Sequence, residues 1–324
     1  MNPGVTLSFR AIAVTLALIS SSLQAQQLVV ATGEAGNTYD LMAKQLGQAC
    51  ERDAGRTIVS KPSSGSMDNI DRLLNNEVPA AMVQTDVLRY RQSRDDLSQI
   101  KALFQLHPEE VHVLALSGTR SFGKVPAVDG FAGIPGLGVP FNTLADLRGR
   151  KVGAWGGSLV TAQVIRLQAE IDFQLVEFAD AAAALKALTD KSVDALVSVG
   201  GSPQPWVQRL DRQFRLVPIA EADALKLKSF YRRAKLSYGN LGQTGVQTVA
   251  TDAVLAVRDY KTPAMSAMLL WARGCFSEHL AELQETPGTQ ATWQKIDSSI
   301  GPNWSPYIGT KAKATDVKAK VARR

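Results

Sequence analysis

Histidine, cysteine and aromatic side chains are scarce in this chain, with three histidines, two cysteines and 6% aromatics. These shortages remove several classes of chemistry. His107, His112 and His279 have no metal-ligand spacing to one another, to cysteine or to a carboxylate, so neither a metal nor a cofactor is expected. Ser158 follows two glycines but lacks the Gly-x-Ser-x-Gly elbow and a histidine partner. Glu109 and Glu110 are adjacent and point to opposite faces of an extended segment, a poor arrangement for shared acid–base work. There is no Walker loop, and the turn at Gly33 lacks the Gly-x-Gly-x-x-Gly spacing of dinucleotide sites.

A basic body is missing too. The formal charge is +6, but Lys311, Lys313, Lys318, Lys320, Arg323 and Arg324, less Asp316, put five of those charges in residues 310–324. Arg10 supplies the sixth, so residues 26–309 are neutral and nucleic acid is not an expected partner. The basic tail reads as a solvated end; loose attraction to anionic lipid or a partner is the alternative.

Residues 1–25 have a positive charge at Arg10, a short apolar run over 11–19, and small residues leading to Ala25. That layout describes a signal peptide, against the alternative of a buried N-terminal helix. The run is short for a bilayer span, and export to the periplasm is expected. In an oxidising compartment a disulfide between Cys50 and Cys275 is expected, with two separate buried thiols as the alternative. A bond would carry the C-terminal region back to the first helix.

Strand and helix signals alternate through the remainder, which predicts an α/β fold with mainly parallel sheets. Strands are expected over 29–31, 56–60, 80–84, 100–106 and 111–116, with helices after Asn37 or Thr38, from Ser66, and from Thr85 or Asp86. Residues 118–141 hold six glycines and three prolines and read as a long loop or flap. A second series follows. Its strands are expected over 151–154, 173–178, 195–199 and 215–219, and its helices over 159–171, 181–188, 204–214 and 222–233. Pro203 after Ser202 signals a helix start. The polar turn, valine and small-residue strand at 76–84 recur at 191–199, so two similar lobes are predicted. Residues 26–116 and 245–309 form the first lobe and 117–244 the second, with crossings near 111–116 and 247–257.

Ligands of open α/β sheets sit where strands feed helices. Four such turns stand out: 32–39, 63–66, 155–158 and 200–202. A single glycine turn is weak evidence, since a tight connection also needs glycine; four at equivalent points predict a cleft. The expected ligand contacts are Thr32, Gly33, Gly36, Asn37, Thr38 and Tyr39 in the first turn, then Ser64, Ser66 and Gln84. Trp155, Gly157, Ser158 and Gly201 complete them from the second lobe. Backbone amides at helix starts hold accepting groups without any side-chain cation.

Five motifs occur in order. They are Ala-Thr-Gly-x-x-Gly-x-Thr-Tyr at 31–39, Ser-Ser-Gly-Ser-Met-Asp-Asn-Ile-Asp-Arg-Leu-Leu at 63–74, Val-Gln-Thr-Asp-Val at 83–87, Leu-Ala-Asp-Leu-Arg-Gly-Arg-Lys-Val-Gly at 144–153, and Val-Gly-Gly-Ser-Pro at 199–203. Over roughly 27–258 the chain resembles the solute-binding subunits of TRAP transporters of the TAXI type. The resemblance implies a type II-like, two-lobed periplasmic binding protein, monomeric, that captures a small carboxylate or amino-acid-like solute and delivers it to a permease. It implies ligand contacts at Thr38, Tyr39, Ser66, Gln84 and Ser158. Glu34, Trp155 and the long 118–141 segment depart from the family pattern. A carboxylate at Glu34 would repel an anionic ligand or pair with a ligand ammonium. A periplasmic sensor and, more weakly, a secreted hydrolase are the alternatives.

Overall fold

A computed structural model describes residues 26–52, 55–118, 120–121 and 139–309. The expected signal peptide, the interior of the expected flap (122–138) and the basic tail (310–324) lie outside the described residues.

The first half alternates as the sequence predicts: β1 (Gln26–Ala31), α1 (Thr38–Cys50), β2 (Arg56–Lys61), α2 (Ser66–Leu74), β3 (Ala80–Gln84) and α3 (Thr85–Gln92). Leu28, Val30, Met42, Leu46, Ile70 and Leu73 are fully buried. They are the strand and helix positions whose spacing turns one face inward. Helix α1 lies so close to β2 that a Cβ at Gly47 would strike the Ile58 carbonyl.

Strand β4 (Ile100–Leu116) follows, then β5 (Arg120–Ser121) and β6 (Val139–Pro140), which pair with each other and close the ends of the expected flap into a short ladder. The second series runs β7 (Lys151–Trp155), α4 (Gly157–Gln168), β8 (Gln174–Phe178), α5 (Ala181–Thr189), β9 (Ala195–Gly200), α6 (Pro205–Gln208) and β10 (Phe214–Leu216). The chain then makes α7 (Glu221–Lys226), β11 (Arg232–Tyr238), β12 (Gln243–Arg258) and α8 (Pro263–Glu285).

One sheet runs through the described residues in the order β2-β1-β3-β12-β4-β9-β7-β8, with β10 paired to β4 and β11 to β12. Each half repeats one plan. Strands β2-β1-β3 are parallel and end on antiparallel β12; β8-β7-β9 are parallel and end on antiparallel β4. Strands β4 and β12 pair with each other and pass through both halves. At about 3.3 Å per residue, the 17 residues of β4 reach from one half into the other.

Three expectations are corrected. Segments 100–106 and 111–116 form one strand; Pro108, which cannot donate to a ladder, sits where the β4–β12 register shifts, as proline in a strand must. Helix 222–233 stops at Lys226, because Leu236 and Tyr238 alternate inward on β11 and its ladder to β12 wins. Helix 204–214 is one turn, and Pro205, not Pro203, takes its first position.

Cys50 and Cys275 form a disulfide that joins the end of α1 to α8. Both sulfurs are buried beside Phe276, Leu280 and Trp293. A cross-link over so long a loop stabilises a fold by about 2–4 kcal/mol. Reduction should lower the urea midpoint accordingly.

Candidate functional site

At the first βα turn, β1 empties toward α1 through Gly33 and Glu34. The site is prepared from below: Asn69 Nδ2 donates to Thr32 O at 2.6 Å and to Met82 O at 2.7 Å, which fixes the ends of β1 and β3 together. Asp40 accepts from Gly36 N, Ser60 Oγ and Lys44 Nζ at 2.7, 2.7 and 2.8 Å. Burial raises the Asp40 carboxyl, but these donors outweigh it and hold the group below its usual range. The turn is therefore locked by its own side chains.

Asn37 occupies the N-cap position, but its side chain makes no cap bond. Its amide donates instead to Glu34 Oε2 at 3.3 Å. The first backbone bond of α1 runs from Leu41 N to Asn37 O, so the Thr38 and Tyr39 amides precede the ladder. The same holds for Ser66 at the start of α2, whose first bond is Asn69 N to Gly65 O, and for Gly157 and Ser158 at the start of α4.

These three helix starts meet. Gly33, Asn37, Thr38, Tyr39, Ser64, Ser66 and Gln84 from the first half, and Trp155, Gly157 and Ser158 from the second, line one cavity of about 100 Å³. The halves touch at glycines. A Cβ on Gly156, whose φ is +50°, would strike the Ser64 carbonyl; one on Gly157 would strike Gln84 Oε1. Backbone is thereby brought to backbone across the cleft.

Three expected contacts lie elsewhere. Thr32 is fully buried, and its hydroxyl bonds with Ser60 Oγ at 3.1 Å and donates to Lys61 O at 3.3 Å, tying β1 to β2. Gly36, at φ +81°, shapes the turn. Gly201 packs tightly on His107 and Thr292. None of the three lines the cavity.

Six lining residues outside the four expected turns were missed by sequence reasoning: Ser198, Val199, Gln204 and Pro205 around the end of β9, and two that shape the cavity's chemistry, Glu109 and Trp206. Glu109, on β4, is buried and accepts from Tyr39 OH at 2.9 Å. The alternation that separates it from Glu110 was the available signal, since it sends one of the pair toward the cleft. Trp206 stands edge-on to Trp155 with ring centroids 5.7 Å apart. Together with Tyr39 they make aromatic walls.

The polar groups are partly committed. Ser66 Oγ accepts from Gln84 N at 3.1 Å, and Ser158 Oγ accepts from Val199 N at 3.0 Å. Gln84 Oε1 is buried with no hydrogen-bond partner. Burial raises the half-buried Glu34 carboxyl, opposed by a hydrogen bond from the Ala181 backbone at the start of α5 and reinforced by repulsion from Asp180. Burial, followed by the neighbouring Glu109 charge, pushes the Tyr39 phenol well above its ordinary value, so it remains a donor. Among the described residues no lysine, arginine or histidine lines the cavity, and no group of three or more His, Cys, Asp or Glu side chains is arranged for a metal.

A further contact ties the halves beside the cavity. Asp86 Oδ2, on α3, accepts from Thr161 Oγ1 on α4 and from Tyr231 OH, each at 2.7 Å. Burial dominates and pushes the Asp86 carboxyl up to about 6, although both hydroxyls oppose the rise.

No protein-family model matches this chain, and no curated protein matches it. Solved structures do. A protein of Bordetella bronchiseptica RB50 aligns at 15% identity over 90% of this chain and 86% of its own, with a TM-score of 0.50. An amino acid ABC transporter substrate-binding protein, AbpA from Streptococcus pneumoniae bound to L-arginine, aligns at 9% identity over 83% and 95%, with a TM-score of 0.49. The substrate-binding protein of an amino acid ABC transporter aligns at 10% over 83% and 96%, with a TM-score of 0.48. Identities this low speak to fold alone. With a 2-1-3 parallel set closed by a shared antiparallel strand in each half, the chain has the α/β, two-lobed, type II-like periplasmic binding protein fold.

Proposed function

We propose that the protein is a periplasmic receptor that binds a small solute between its halves and delivers it to a TRAP-type permease. One observation carries the reading: helix starts from both halves present backbone amides to a single cavity. Preorganised amides of this kind bind an accepting group without reorganisation. Hinge motion about β4 and β12 would open and close the cleft. The lobes divide at residues 26–116 with 245–309, and 117–244. The TAXI-type motifs support the permease assignment and an exported monomer that acts without catalysis.

A periplasmic sensor would use the same cleft and differ in its docking surface. The secreted hydrolase has less support, because Ser158 Oγ is engaged by the Val199 amide, not by a histidine.

Thermal unfolding against a panel of organic acids, amino acids, amines and sulfonates tests the reading. A solute at 100 times its Kd adds about 2.7 kcal/mol. No shift with any member would end the receptor assignment. Product formation abolished by Ser158→Ala would replace it with the hydrolase.

A further inference from the structure

The cavity has an unusual charge inventory for a site built on helix N-termini. Two carboxylates, Glu34 and Glu109, line it, and no cationic side chain among the described residues does. Glu34 is engaged by the Ala181 amide at the seam. Glu109 is the deeper of the two, 2% exposed. Its Oε2 accepts from Tyr39 OH, while Oε1 faces His107 Nε2 at 3.5 Å, too long for a full hydrogen bond. Gln84 Oε1, on a side chain 5% exposed, is a second acceptor in the same cavity and has no donor. Buried acceptors of this kind are costly unless a donor reaches them.

Building on the receptor reading above, we infer that the solute carries an ammonium group, seated by Glu109 and Gln84 Oε1, and has no net negative charge. An ammonium offers three donors and a charge, which matches a carboxylate and an amide oxygen carried by two residues that line one cavity. The solute's other end, a carboxylate or hydroxyl, sits on the amides of Thr38, Tyr39, Gly157 and Ser158. Each helix start carries a fractional positive charge, enough for one accepting end. A dicarboxylate would set its second charge against Glu109 in a cavity that, among the described residues, no lysine, arginine or histidine lines. Trp155, Trp206 and Tyr39 cover the solute's apolar stem, and the small cavity favours a short one. The departure at Glu34 from the family pattern points the same way.

Isothermal titration with three four-carbon probes tests this: 1,4-diaminobutane, 4-aminobutanoate and succinate, which differ only in their end charges. They are run beside the full panel used for the receptor reading, L-glutamate included. An ammonium-bearing probe without net negative charge should bind at least tenfold tighter than succinate and L-glutamate. Glu109→Gln should weaken it tenfold or more, and Gln84→Leu by several-fold, with no loss for anionic members. Succinate or L-glutamate binding as tightly as the amines would overturn the inference and leave the receptor standing. Unchanged amine affinity in Glu109→Gln would overturn it too. No binding by any member would remove the receptor reading, and this inference with it. The selectivity of the unaltered protein decides the question even if a variant fails to fold.

Discussion

The two faces of β4 between residues 107 and 112 carry the same residue types and treat them differently. On one face, Glu110 is completed from within the chain. Its Oε1 accepts from Lys295 Nζ at 2.6 Å and its Oε2 from Ser202 N at 2.9 Å. His112, on the same face, bonds Glu110 O and Tyr238 OH, each at 2.8 Å. The Gln204 amide Nε2 also approaches its Nδ1, at 3.2 Å. On the other face, Glu109 has one full hydrogen bond, and neither ring nitrogen of His107 has one. One face is a finished structural network; the other leaves capacity beside the cavity. Unfinished polarity of this sort is what a binding site shows when its ligand supplies the missing donors.

The greatest loss should come from attacking the finished face. Glu110→Ala leaves Lys295 without its acceptor and a buried Ser202 amide unpaired, so urea unfolding should show a loss of about 2–4 kcal/mol. Glu109→Gln, which keeps an oxygen for Tyr39, should change stability by about 1 kcal/mol or less while altering solute binding. Equal losses from the two substitutions would erase the distinction between the faces.

Acid adds a second contrast. Burial depresses the His112 imidazole to about 3, so its contribution is present above its ordinary value of 6.5 and is lost as pH falls toward 3. The Asp86 carboxyl, raised to about 6, works the other way. Its contribution is fullest below 3.8 and is lost as pH rises through 6. Between pH 6 and 4 the two oppose each other. Asp86→Asn removes the compensating gain, so this variant should lose more stability than the unaltered protein on going from pH 7 to pH 4. A smaller loss would show that burial does not raise the Asp86 carboxyl.

The mildest change is expected at Glu34. Glu34→Gln keeps the acceptor for the Ala181 amide and removes repulsion from Asp180, so stability at neutral pH should rise by a few tenths of a kcal/mol. Its calorimetric midpoint should move up, not down.

Much of this was legible in the residues. The strand-turn-helix units at 29–46 and 56–74 follow from local patterns, whereas the pairing of Cys50 with Cys275 was only permitted by the count of two cysteines in an oxidising compartment. Thr32, Gly36 and Gly201 mislead for one shared reason. A turn's sequence tells that it is tight, not which of its residues faces the ligand; here Ser60, Asp40 and His107 claim those three. Residues 222–233 mislead because Lys and Arg suit a helix surface as well as an exposed strand face. The ladder to β12 that decides the matter is a tertiary fact. Glu109 is set aside by a sound rule of alternation when the question is catalysis, where binding is the better question.

The receptor reading rests on amides from both halves holding one solute. Backbone amide NMR of the protein saturated with the tightest member of the panel tests this without intermediaries. Simultaneous shifts are expected at Thr38 and Tyr39 in one half and at Gly157 and Ser158 in the other. Shifts confined to a single half, with the opposite pair unmoved, would contradict a shared solute.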